Sequence, residues 1–105
     1  MSPQDAVFKA KLFVDSIRKS GVKLSGAYMF GSFATGTPRL GSDIDVCVVS
    51  PQFGKDPMVE AVTLAKLADK VDMMIEVHPM GEEDFSDKYN HLAYEVKTHG
   101  VSILN

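Results

Sequence analysis

Two short clusters hold the residues best suited to chemistry. Asp43 and Asp45 flank one apolar residue in Ser42-Asp43-Ile44-Asp45-Val46, and Gly31-Ser32 follows the apolar run Gly26-Ala27-Tyr28-Met29-Phe30. On an extended strand the two aspartates project to one face, roughly 6.5–7 Å apart along the chain, while Ile44 and Val46 point into the core. Neighbouring carboxylates repel, and each disfavours ionisation of the other. A hard divalent cation removes that conflict. Mg²⁺ prefers oxygen ligands and keeps waters and substrate phosphates in its other positions. Upstream, a glycine at a strand end lets a phosphate approach the backbone closely, and Ser32 opens a turn whose N–H groups and hydroxyl can receive phosphate oxygens. Cation and amide donors together would grip opposite sides of a triphosphate. In-line phosphoryl chemistry needs mainly such positioning and charge stabilisation.

Rival motifs fail on their residues. Gly31 and Gly36 have Walker-like spacing, but Thr37-Pro38 stands where Lys and Ser/Thr are required. Asp43-x-Asp45-x-Cys47 lacks the third oxygen ligand and the glycine of a calcium loop. His78, His91 and His99 have no zinc-ligand spacing with Cys47 or one another. His78 reads as a hydrogen-bonded structural residue, with orientation of the neighbouring acid Glu76 as the alternative, and Cys47, inside Val46-Cys47-Val48-Val49, as a packed thiol. Met58, Met73, Met74 and Met80 read as core or edge packing, as do Tyr89 and Tyr94.

The elements that must position these residues follow from periodicity. Ala6, Val7, Ala10, Phe13, Val14 and Ile17 recur at helical steps from Gln4 to Lys19, stopped by Gly21. A strand over 26–30 runs into the Gly-Ser turn, a single helical turn fits 32–36, and Thr37 to Gly41 is a loop. Asp43 to Val49 is a second strand, rich in Val and Ile. Asp56-Pro57 starts a helix that runs to about Asp69. Val71 to Val77 is a third strand ended by Pro79, and 82–84 forms a turn or short helix. Lys88 to Thr98 is helical, Gly100 is its stop, and 101–104 is a last strand. Strands mixed with helices in this order make a layered sheet.

The chain has 105 residues, enough for one domain over 1–105 that buries roughly 65% of its unfolded surface. The formal net charge is −3, and no basic run exceeds Arg18-Lys19, so an electrostatic grip on nucleic acid is not expected. No apolar stretch approaches the ~20 residues of a membrane span. A lone cysteine and the absence of a signal-like N-terminus fit a cytoplasmic address.

Taken together, an apolar residue, Gly31-Ser32, ten intervening residues and then Asp43-apolar-Asp45-apolar resemble the signature of the DNA polymerase β-like nucleotidyltransferase superfamily. The length resembles that of its minimal members. The resemblance implies an α+β fold, one small mixed sheet packed with helices in the palm-like manner. It implies that Gly31, Ser32 and the frequent pre-aspartate Ser42 bind nucleotide, and that Asp43 and Asp45 hold metal in a two-Mg²⁺ site. It also implies a third acid on a neighbouring strand, which joins the metal ligands and acts as general base. Asp72 and Glu76 both qualify, because a spacing of four leaves them on one strand face. Asp72 matches the common apolar-Asp-apolar form; Glu76, in Ile75-Glu76-Val77-His78-Pro79, resembles a subgroup in which the acid precedes His-Pro, and is favoured. The activity implied is transfer of a nucleoside monophosphate, AMP from ATP by preference, to an acceptor hydroxyl. Minimal members pair as homodimers or with small helical HEPN proteins, as antitoxins that modify the toxin. A non-catalytic partner-binding module of this fold and a transferase to a small molecule are the alternatives.

Overall fold

The computed structural model describes residues 1–39 and 41–104; Leu40, inside the expected 37–41 loop, lies outside the described residues. Helix α1 (Pro3–Lys19) begins with a reciprocal cap. The Ser2 hydroxyl accepts from Asp5 N–H at 3.1 Å, and the Asp5 carboxylate accepts from Ser2 N–H at 3.3 Å. Strand β1 (Gly26–Phe30) leads into the single turn α2 (Ser32–Thr35). Strand β2 (Ile44–Ser50) is followed by α3 (Pro57–Val71), where the Asp56 side chain accepts from Val59 N–H. Then come β3 (Ile75–Gly81), α4 (Glu82–Ser86), α5 (His91–His99, capped by the Asn90 side chain) and β4 (Val101–Ser102).

The four strands form one mixed sheet in the order β3-β2-β1-β4. Strand β1 lies antiparallel to both β2 and β4, and β2 and β3 run parallel, with α3 as the crossover between them. Alternation along β2 sorts the two faces. Ile44, Val46 and Val48 are fully buried against Phe13, Val14 and Ile17 of α1 and Leu64 and Ala68 of α3. On the other face Cys47, Val49, Phe30 and Met80 pack with Ala93 and Val96 of α5. Asp45 belongs by alternation to this second face and lies half-buried near the start of β2. Among the described residues no helix is long and apolar enough to cross a membrane.

The third strand departs from expectation. It starts at Ile75 rather than Val71 and continues through Pro79 to Gly81. Helix α3 persists to Val71, and Asp72 turns extended, its carboxylate accepting from Met74 N–H at 2.7 Å and from the Lys9 ammonium at 2.6 Å. The apolar Met73-Met74 pair, strand-like by hydrophobicity, is the turn so formed. Pro79 is tolerated because β3 is an outer strand, where one missing ladder donor matters little. The last helix starts three residues later than expected, since Asn90 rather than Lys88 provides its cap.

Candidate active site

Pairing register brings the chemistry together. Phe30 at the end of β1 faces Asp45 on β2, and Asp45 faces Glu76 on β3. Gly31 follows Phe30 with φ +76°, in a region of backbone space that only glycine occupies readily. A methyl group on its Cα would overlap the Asp45 carboxylate oxygen Oδ2, so the backbone after β1 and this acid are in direct contact. The Gly31 carbonyl accepts from the N–H groups of Ala34 and Thr35 at 3.1 Å and from the Thr35 hydroxyl at 3.2 Å, which folds α2 back beside the strand end. Ser32 is half-buried at the start of that turn.

Two strands over, Glu76 is exposed and His78 half-buried, alternating onto the same side as Asp45. His78 Nε2 lies 3.5 Å from Asp45 Oδ1 and 3.8 Å from Glu76 Oε1. That nitrogen is itself buried and has no hydrogen-bond partner, while its ring meets Phe30 edge-on at 5.1 Å between centroids. Asp45, Glu76 and His78 each offer a ligand atom, all within 4.8 Å of one another. The structural role expected of His78 from sequence therefore lacks its hydrogen bond. The signal that sequence reasoning passes over is alternation: Glu76 and His78 are two apart on a strand that flanks the Asp45 strand.

Asp43 stands exposed just ahead of β2, not on it. With Glu76 it lines a cleft of about 490 Å³ whose other walls include Val62 and Ala65 of α3, Met73 and Met74. Ser42 closes a turn, its hydroxyl accepting from Arg39 N–H at 2.7 Å. Asp72 is apart from the cluster, held by Lys9 and Met74; the Lys9 hydrogen bond first, then the Met74 N–H, keep its carboxyl below the usual aspartate value. Cys47 is buried between the valines, which pushes its thiol up to about 12 and leaves it inert at neutral pH. Met80 packs as expected, but Met58, Met73, Tyr89 and Tyr94 do not: their side chains face solvent.

The profile of the nucleotidyltransferase domain family matches residues 10–99. The chain belongs to that family. As a nucleotidyltransferase it uses the α+β fold that the Gly-Ser and Asp-x-Asp pattern implied. No curated protein matches the sequence. Among solved structures, a toxin–antitoxin complex with AMP-PNP is 26% identical, with a TM-score of 0.66 over 92% of this chain and 73% of that one. A mutant of the toxin–antitoxin MntA–HpeT is 25% identical, with a TM-score of 0.65 over 90% of this chain and 71% of that one. A Sulfolobus solfataricus protein assigned as a nucleotidyltransferase is 18% identical and shares the fold, with a TM-score of 0.67 over 95% of this chain and 80% of that one.

Proposed function

We propose that this nucleotidyltransferase moves AMP from ATP to a hydroxyl on a partner protein, as the antitoxin half of a pair whose toxin is a small helical HEPN-type protein. The observation that carries the reading is the contact between Gly31 and Asp45, continued by the register pairing of Asp45 with Glu76. It sets a glycine-opened backbone beside an acid pair, the arrangement a triphosphate requires. The likeness to a toxin–antitoxin complex with AMP-PNP supports both the nucleotide and the kind of partner.

The donor set fits a divalent cation: two carboxylates on adjacent strands, with Asp43 nearby and an unpartnered nitrogen aimed between them. Asp45, Glu76 and Asp43 would hold it. When bound, Mg²⁺ neutralises phosphate charge and eases ionisation of the acceptor hydroxyl. The chain's own residues do the rest. Gly31 and Ser32 receive the phosphates on the β1 side, with Ser42 shaping the loop that enters β2. Glu76, on the outer strand beside the cleft, takes the acceptor's proton as its oxygen bonds to the α-phosphorus. The bond from that phosphorus to the bridging oxygen breaks, and pyrophosphate leaves on the cradle side. Asp72, bound to Lys9, is a structural acid.

The test uses ATP labelled at the α-phosphate, Mg²⁺ and, as acceptor, a small helical HEPN-type protein. Label should reach that protein, fall by about 10²–10⁴ with Asp43→Asn, Asp45→Asn or Glu76→Gln, and persist with Asp72→Asn. Label that survives Asp43→Asn would defeat the assignment. A tight complex that forms without metal and carries no label would favour a binding module.

A further inference from the structure

We infer that His78 is a direct nitrogen ligand of the cation site, and that the position formed by Asp45, Glu76 and His78 takes Mn²⁺ in preference to Mg²⁺. The inference rests on the proposal that these acids hold the reaction's cation. Buried polar atoms without a partner are few in folded proteins, so the bare Nε2 of His78 calls for an explanation. A hydrogen bond to the acids is a poor one. The separations of 3.5 and 3.8 Å exceed the usual ~2.9 Å of an N–H···O bond. They fall instead between the separation of adjacent ligands on one octahedral ion, about 3 Å for bonds of ~2.1 Å, and that of opposite ligands, about 4.2 Å.

The ring is also held in place. Phe30 meets it edge-on, and the β3 backbone presents Glu76 and His78 on the same side of the sheet as Asp45. Two oxygens and one imidazole nitrogen make a mixed set. Mg²⁺ is bound almost wholly through oxygen and gains little from a nitrogen donor. Mn²⁺ stands with Mg²⁺ in accepting carboxylate and phosphate oxygen, yet as a first-row transition ion it also bonds imidazole. Such a site discriminates between the two ions through one side chain, at a position that the Asp-x-Asp motif does not include.

The decisive measurement is made on the metal-free full chain with no nucleotide or partner, titrated with Mn²⁺ alone and with Mg²⁺ alone. Pulsed electron paramagnetic resonance of the Mn²⁺ form should show nitrogen modulation from a bonded imidazole. His78→Ala should remove that modulation and weaken Mn²⁺ binding by about tenfold or more, while changing Mg²⁺ affinity much less. Absence of nitrogen modulation in the wild-type Mn²⁺ form overturns the inference, whatever the variant does. Unchanged Mn²⁺ affinity in a folded His78→Ala protein overturns it too. In both cases label transfer, assayed separately, still decides the proposed function. A wild-type chain that binds neither ion overturns the inference and the cation site together.

Discussion

Replacing Gly31 by alanine tests the central contact of the site, and a matched control separates its two effects. Gly31 has φ +76° and ψ −155°, a region essentially reserved for glycine, so any side chain costs roughly 1–3 kcal/mol in the backbone. Its new methyl would also meet Asp45 Oδ2, and ordinary contact would return only if that carboxylate withdrew by about 1 Å, a displacement able to cost ~10²-fold in rate. Gly36 has a similar φ of +77°, and a methyl added there would have nothing within 4 Å, so Gly36→Ala carries backbone strain alone, roughly 1–2 kcal/mol. For a chain of this size each kcal/mol lowers Tm by about 4–8 °C. Thermal unfolding should therefore show both variants destabilised, Gly31→Ala more so. Label transfer, measured well below either melting range, should fall about 10²-fold only for Gly31→Ala. Equal transfer by the two folded variants would refute the claim that the strand end must touch Asp45.

Two further outcomes are expected. The Asp72 carboxyl is held below its ordinary 3.8 by Lys9 and Met74, so its contribution is complete above that value and disappears as pH falls through the lower folded value. Asp72→Asn should cost about 1 kcal/mol at neutral pH, with the two stability curves converging in strong acid, as followed by urea unfolding across pH. Val62→Asp, an exposed change on the cleft wall, should reduce transfer to the protein acceptor about tenfold, while ATP binding measured by calorimetry stays unchanged.

What can be read from sequence, and what cannot, follows from which interactions are local. Asp45 is legible because it is the one polar residue in the apolar run Ile44 to Val49, which is buried on both faces, and the start of α1 because Ser2, Pro3 and Asp5 form a self-contained cap. The third acid is not legible from spacing, since Asp72 and Glu76 have equal parity on any strand that contains both. The choice turns on where α3 stops. At that point the Asp72 carboxylate is held both by the local Met74 N–H and by Lys9, a residue 63 positions away. The closeness of His78 to Asp45 on the adjacent strand and to Phe30 beyond it escapes sequence reasoning for a related reason, since neither is near it in the chain. The exposure of Met73 likewise reflects a turn that hydrophobicity alone reads as strand.

The borders of the sheet have a consequence for assembly. One border is β4, only two residues long, and the other is β3, which carries Pro79, a residue with no amide N–H to offer. Neither offers the long run of free amides on which a foreign strand could zip. Copies of this chain are thus protected from growing into continuous ribbons along either border.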